Sequence, residues 1–530
     1  MAHKSLPPFF LSEDSIKWAI RHIVRFGDTD ILPAPLEFRA ALIHVHEIAK
    51  RLSLLDINKH YYQVPRRVAS PKPTGGFRVA SQLSPSDAIL FTALANFVAP
   101  QIEEARLPRS LLTSCSFRLD INANGQFFVP GFGYDDFNKA TEINVRRPEI
   151  RYVLSVDLAD FYNQISHHRI ANNMESVGIE SHTVMTVEKT LDCLASNHHS
   201  RGLPIGPAAS IIFAEAATLD IDEFIRGKGV SFCRYVDDFR FFFQDKTESN
   251  TFLAQLTEVL FTNHRLATNT TKTKLWSKDA FGSEIVDGEA LEEERKQLHL
   301  MAMIRSKSDS CAAVDENFIS NSDRNEATRK AIDELFARAQ KSEPLLVGLA
   351  KFVLQRGKAL RTAEFASKLV EKLDHFAPVV TDVVDYITTI DAKNKKGLLR
   401  QVYDWLSKNS VFSNSSFMQE WTGHLAAKCV ESLFPQWEDY EQSCDKLPSS
   451  VKNRYSPLAA ARMMQRGFIR SLKERIDSQD EAAKRSIILS TCILADDEKK
   501  HWLSRFQQSN DVLLDACVLF ARNSKTLQVL

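Results

Sequence analysis

The stretch VSFCRYVDDFRFFF, residues 230–243, is an apolar run rich in β-branched and aromatic side chains that halts at Asp237-Asp238 and resumes at Phe239, Phe241, Phe242 and Phe243. That pattern predicts a strand, a turn and a second strand. Two adjacent carboxylates at the tip of an apolar hairpin repel each other, and a cation between them offsets the repulsion. Asp237 and Asp238 are therefore candidate metal ligands. A bare Asp-Asp pair is more often an ordinary polar turn, so the surrounding chain has to decide.

Upstream, Val153–Val156 is a short apolar strand ending at Asp157, and Asp160-Phe161-Tyr162 leads into a helix that Asp160 is placed to cap. Next, Gly202-Leu203-Pro204-Ile205-Gly206-Pro207 forms a rigid turn feeding a helix of small and apolar residues over 208–225. Downstream, LATNTTKTKLW (266–276) has the composition of a Thr-rich extended segment carrying Lys272 and Lys274. Towards the N-terminus, residues 59–86 hold Lys59, Arg66, Arg67, Lys72 and Arg78 with no Asp or Glu. This basic patch is hidden in the whole-chain balance, where Lys+Arg and Asp+Glu both number 67. Within it PKPTGGFRV (71–79) sets Lys72 and Arg78 on either side of a Gly-Gly turn, a pair of cations that suits a polyphosphate.

At 530 residues the chain is too long for one core and divides into roughly two to four domains by the usual size rule. Helical stripes mark residues 12–55, with Ser12 and Ser15 at the start, and a buried helix is expected over 86–104. Acidic DGEALEEER (287–295) and polar SDSCAAVDENFISNSD (308–323) then break the periodicity. Four segments follow from this pattern: a helical segment over 1–58, an α+β region over 59–285, an acidic and polar linker over 286–324, and an all-α domain over 325–530. The last consists of successive stretches of helical length such as LLVGLAKFVLQRGKAL and VVTDVVDYITTI. Helix pairs stacked as a HEAT-like repeat fit it, with an irregular bundle as the alternative. Eight scattered cysteines without a C-x-x-C pair indicate reduced thiols. No segment has the apolar length of a signal peptide core or a membrane span, so a soluble, cytoplasmic protein is expected, with no membrane partner.

Four features occur in a fixed order: a strand ending in Asp157, the L-P-x-G turn at 203–206, the Tyr-Val-Asp-Asp hairpin and the Lys272 segment. This order resembles the reverse transcriptases, over residues 59 to about 280. The resemblance implies a right-hand polymerase with fingers and palm. It implies that Asp157 and Asp237 bind two catalytic Mg²⁺ ions, Mn²⁺ serving in their place, with Asp238 completing the acidic cluster. Independently, two-metal phosphoryl transfer needs carboxylates on neighbouring strands, so that ions roughly 3.5–4 Å apart can stabilise both attacking and leaving oxygens. By resemblance, Tyr162 closes off space beside the sugar 2′ position and selects dNTPs, with a core aromatic as the alternative. Lys72 and Arg78 grip the triphosphate, Gly206 belongs to the turn that positions the nucleotide, and Lys272 protonates the pyrophosphate, a surface lysine being the alternative. Ile205 departs from the Gln that many reverse transcriptases carry in this turn.

After Trp276 there is no aromatic-Leu-Gly strand and no basic thumb, and a helical array begins. A polymerase domain followed directly by such an array resembles the abortive-infection (Abi) reverse transcriptases of bacterial antiphage defence. That resemblance implies a homo-oligomer making single-stranded DNA without a template, primed from a protein hydroxyl and covalently attached to it. Candidate priming residues are Tyr61 and Tyr62, with Tyr134 on a Gly-rich loop next and packing beneath the fingers as the alternative for the first two. The rival readings are an RNA-templated enzyme partnered with a noncoding RNA, and an inactive palm whose helical repeats serve interaction. His167-His168 and His198-His199 are expected to be solvated polar residues, and Asp135-Asp136 a simple turn.

Overall fold

The computed structural model describes residues 6–122, 125–195, 200–283, 326–506, 511–528 and 530. The expected linker over 286–324 and the pair His198-His199 lie outside the described residues. The chain forms two compact units. One comprises Met1–His22, Leu52–Arg66 and Asp87–Met301; the other comprises Ile23–Arg51, Arg67–Ser86 and Ala302–Leu530. Both the first 58 residues and the stretch 59–285 thus contribute to each unit.

The second unit contains a two-stranded hairpin, most of β1 (Arg66–Pro71) with β2 (Phe77–Gln82), whose turn is made by Gly75 and Gly76 at φ +85° and +74°. These are left-handed values that glycine adopts without a Cβ penalty. From Glu326 onward every regular element among the described residues is helical. Helices largely pack against helices nearby in sequence, as in Glu326–Lys341 on Val347–Ala359, and Ser449–Arg462 between Ser416–Lys428 and Glu481–Ser490. A run of rings links the helix Glu326–Lys341 to the helix Val380–Thr389: Phe336 stacks on Phe365 at 4.6 Å, and Phe365 on Tyr386 at 4.7 Å. Helix lengths run from 4 to 16 residues, so no repeat of fixed length is imposed. The N-terminal part of this unit docks on the helices through Trp421 Nε1, which donates to the Ile31 carbonyl at 3.2 Å, and through the buried Arg485–Glu37 pair at 3.1 Å.

The first unit is built on a four-stranded antiparallel sheet of order β4-β5-β3-β6, made of β3 (Tyr152–Asp157), β4 (Ser231–Tyr235), β5 (Asp238–Phe243) and β6 (Lys274–Ser277). Side chains alternate between faces along a strand, which assigns the aromatic run of β5 to two layers. Phe239, Phe241 and Phe243 share one face, where Phe252 of the helix Lys246–Val259 meets Phe241 at 4.8 Å and Phe243 at 5.5 Å. Phe242 lies on the other face, in a core with Cys115, Phe137, Ala140, Val153, Cys233 and Phe281. The helix Tyr134–Val145 supplies Phe137 and Ala140 to that core. The segment 266–276 is less extended than its composition suggested. Thr273 N–H returns to the Asn269 carbonyl at 2.8 Å, closing a turn, and only its end joins β6. The expected apolar helix is present over Pro85–Ala105; it is apolar on all sides because Ile89, Phe91, Leu94 and Val98 are all buried.

His167 is not a solvated polar residue. It is fully buried, with Nδ1 2.5 Å from Asp192 and Nε2 2.8 Å from the Gly202 carbonyl. Both ring nitrogens are satisfied, which is what allows the imidazole to be buried. Asp136 does more than form a turn, since its carboxylate accepts from Gly133 N–H at 2.9 Å and caps the helix Tyr134–Val145.

Candidate active site

Strand register brings the carboxylates together. Asp157, the last residue of β3, pairs directly with Asp238, the first of β5. Directly opposed residues project on the same face, with Cβ atoms about 4.5–5.5 Å apart, and like charges there are destabilising. Asp237 sits between them in the chain, in the two-residue connection from Tyr235 to Asp238. The preceding Val236 has φ +57°, a left-handed conformation that a β-branched residue rarely adopts. The connection is stitched to β3, because Leu158 N–H donates to the Asp237 carbonyl at 3.1 Å. The Asp157 carbonyl in turn accepts from Asn269 N–H at 2.7 Å, which delivers the following turn and its Lys272 to the carboxylates.

Asp157 is only 7 % exposed. Lys272 Nζ donates to its Oδ2 at 3.0 Å, and this bond holds the Lys272 ammonium above its ordinary range. Burial, followed by the charges of Asp237 and Asp157, pushes the Asp238 carboxyl up to about 7. The repulsion anticipated from Asp237-Asp238 is therefore present and is strengthened by a third carboxylate from another strand. Among the described residues no group of three or more His, Cys, Asp or Glu side chains is gathered tightly enough to hold a metal as it stands. The donor set nevertheless fits a hard divalent cation: carboxylate oxygens on two adjoining strands, with an excess of negative charge that Lys272 offsets only in part.

Tyr162 is tied to the turn at 203–206 through the backbone. It lies on the short helix Phe161–Gln164, and its carbonyl accepts from Leu203 N–H at 2.8 Å. Gly202 N–H donates to the Ile165 carbonyl at 2.8 Å. The turn at 203–206 is thereby docked on the Tyr162 segment, a placement that requires Gly202 at φ +90°, where a Cβ would come 3.2 Å from the Asn163 carbonyl oxygen. Gly206 follows at φ +129°, and the helix Ala208–Ala217 begins after Pro207. Asp160 occupies the N-cap position but makes no capping bond to the backbone; its Oδ1 instead accepts from Asn163 Nδ2 at 2.6 Å. Its own φ of +51° turns the backbone away from the geometry that capping needs.

Lys72 and Arg78 are exposed on the hairpin of the second unit. Tyr62 is buried, its hydroxyl 3.3 Å from Thr190 Oγ1, so the packing alternative holds for it. Burial also pushes its phenol well above the usual range. Tyr61 is 86 % exposed. Tyr134 is not on a loop but is the first residue of its helix, 46 % exposed and edge-on to Tyr235 at 5.4 Å. Since Tyr235 pairs with Asp238, this ring is the candidate phenol beside the carboxylate hairpin.

Residues 70–308 match the family model described as "Reverse transcriptase (RNA-dependent DNA polymerase)". The chain carries a reverse transcriptase domain. The family so described is one of DNA polymerases, which are nucleotidyltransferases. The reverse transcriptase domain spans Lys72, Arg78, Tyr134, Asp157, Tyr162, Gly206, Asp237, Asp238 and Lys272; Tyr61 and Tyr62 precede it. No curated protein matches the chain. Similar solved structures include telomerase from Candida albicans in complex with a TWJ fragment of telomeric RNA, at 11% identity and TM-score 0.33, covering 69% of this chain and 66% of that one. Apo telomerase from Candida tropicalis matches at 9% identity and TM-score 0.32, covering 73% and 69%. The chain spans just under two thirds of the Candida albicans telomerase chain. These likenesses are distant.

The one signal for the site that sequence reading passed over is Arg234, three residues before Asp237. Its place in an apolar strand marks a charge that must be paired if buried.

Proposed function

We propose that this chain is a DNA polymerase that adds dNTPs to a hydroxyl primer without a template, primed by a tyrosine of its own, and that it serves bacterial antiphage defence. In the reaction the primer oxygen attacks the α-phosphorus, the bond from that phosphorus to the β-phosphate bridging oxygen breaks, and pyrophosphate departs with the electron pair. The observation that carries the reading is the direct opposition of Asp157 and Asp238 across two strands, with Asp237 in the adjoining turn. These three carboxylates would hold two Mg²⁺ ions, or Mn²⁺ in their place, which supply Lewis-acid stabilisation of the attacking and leaving oxygens. Lys272, paired with Asp157, would exchange that partner for a phosphate oxygen and give its proton to the pyrophosphate. Lys72 and Arg78 bind the triphosphate, the turn ending in Gly206 seats the nucleotide, and the Tyr162 ring excludes a 2′-hydroxyl.

The untemplated, self-primed part of the reading rests on the helical domain that stands in place of a basic thumb, as in the Abi resemblance, and on accessible phenols at Tyr61 and Tyr134. A HEAT-type array and a cytoplasmic homo-oligomer belong to the same proposal, with single-stranded DNA as the covalently attached product. RNA-templated synthesis with a noncoding RNA is the second reading, favoured by the family's description as RNA-dependent. The intact carboxylate cluster argues against the inactive scaffold.

Purified protein given labelled dNTPs and Mg²⁺ or Mn²⁺, with no nucleic acid, should incorporate label into a protein-sized species. Asp157→Asn and Asp237→Asn should each abolish it. Incorporation within tenfold of wild type in either variant would overturn the assignment, and incorporation strictly dependent on added RNA would select the second reading.

A further inference from the structure

Val236 bends the chain into Asp237 with a left-handed backbone that its β-branched side chain disfavours, so something outside the two-residue connection must hold it there. The carbonyl of Val236 accepts a hydrogen bond from Arg234 Nη1 at 3.1 Å. The rest of that guanidinium is fully engaged. Nε and Nη2 donate to the two oxygens of Asp222 at 2.9 and 2.7 Å, and Nη2 also reaches Glu215 at 3.0 Å and Ser114 Oγ at 3.1 Å. Glu215 is itself held by Ser116 Oγ at 2.6 Å and by Arg106 at 2.9 Å. The Arg106, Glu215, Asp222 and Arg234 side chains are all 4 % exposed or less. The Arg234 backbone is pinned as well, its N–H donating to Thr113 and its carbonyl accepting from Cys115.

The cluster holds two cations and two carboxylates at its centre, so it is balanced. Balanced buried ion clusters generally stabilise a fold no more than apolar residues of the same volume would. Their distinctive property is direction, since a planar guanidinium clamped on two sides leaves its remaining N–H aimed along one line. Here that line ends on the carbonyl next to Asp237.

We infer that Arg234 is a positioning residue of the nucleotidyl-transfer site: clamped by Asp222 and Glu215, it fixes the Val236 carbonyl and so aims the Asp237 carboxylate at the metal. The inference rests on the proposed role of Asp157, Asp237 and Asp238, and adds to it a buried support reaching from the helices Ala208–Ala217 and Leu219–Gly227 to the turn.

The test is Mn²⁺ binding followed by electron paramagnetic resonance, with thermal unfolding measured on the same samples. Arg234→Lys keeps the charge but lacks the fork. Ser114→Ala removes an acceptor from the cluster without touching the Val236 bond. Arg234→Lys should weaken Mn²⁺ binding by about tenfold or more, the range for lost outer-shell support. The metal concentration for half-maximal dNTP incorporation should rise in step, with kcat recovering at saturating metal. Ser114→Ala should lower the melting temperature and leave Mn²⁺ affinity within about twofold, well short of that range. Unchanged affinity in folded Arg234→Lys overturns the inference, as does an equal loss in Ser114→Ala. If Arg234→Lys does not fold, the charge-balanced pair Arg234→Gln with Asp222→Asn is read in its place; failure of both to fold also overturns the inference, because a purely structural cluster predicts it. Mn²⁺ affinity in the Asp237→Asn variant equal to that of wild type would instead refute the underlying site.

Discussion

Tyr162 is half-buried, and its backbone carbonyl ties the helix to Leu203. Removing the ring therefore leaves the docking of the 203–206 turn in place. Tyr162→Ala should lower the kcat/KM preference for dNTPs over rNTPs by about 10- to 100-fold, the size of discrimination a pocket wall exerts against one hydroxyl. Steady-state incorporation of matched deoxy- and ribonucleotides measures it, and an unchanged ratio would make the ring a core residue. The priming tyrosine is decided at the same scale. Tyr62 is enclosed against Thr190, whereas Tyr61 and Tyr134 reach solvent. Mass spectrometry of proteolysed protein should find a nucleotide adduct on a peptide containing Tyr61 or Tyr134, none on Tyr62, and none anywhere in Asp237→Asn protein. An adduct on Tyr62 would mean that its pocket opens during synthesis.

The sheet separates chemistry from support by its two faces. Asp157 and Asp238 share a face with Phe242, whereas Phe241 and Phe243 face the helix Lys246–Val259. Phe252 is 3 % exposed and fills the space against both rings. Phe252→Ala should cost about 3–5 kcal/mol by creating a cavity. Denaturant unfolding would register that loss. Activity per folded molecule should change little, because the cavity opens on the face away from the carboxylates. A fall in kcat matching that of a carboxylate variant would show that the two faces are coupled.

In the second unit Asp28 is 5 % exposed, and Gln82 Nε2, at the end of β2, donates to it at 3.0 Å. Burial pushes its carboxyl up to about 7 from 3.8. A carboxyl raised on folding ionises first in the unfolded chain. Its contribution to stability is full below about pH 4 and is lost as pH rises through about 7. Asp28→Asn should therefore melt higher than wild type at about pH 8, with the difference shrinking towards about pH 4. A pH-independent difference would remove Asp28 as the cause. At the scale of the assembly, sedimentation should find more than one chain per particle at micromolar concentration. A clean monomer would contradict the homo-oligomer. Among the described residues no helix is long and apolar enough to cross a membrane.

Local pattern alone determined the carboxylate hairpin, the strand ending at Asp157, the Gly-Gly turn and the helical character beyond residue 325. In each, a period of two or 3.6, or an obligatory turn residue, is written into neighbouring positions. Partnerships between distant segments were decided only by tertiary structure. Strand register set Asp157 opposite Asp238, and a turn anchored on the Asp157 carbonyl carried Lys272 to its side chain. Packing enclosed His167 and Tyr62, and burial gathered Arg106, Ser114, Glu215, Asp222 and Arg234 behind Val236. The physical reason is that a polar side chain looks the same in sequence whether water or another buried charge will satisfy it, and only the fold supplies the partner.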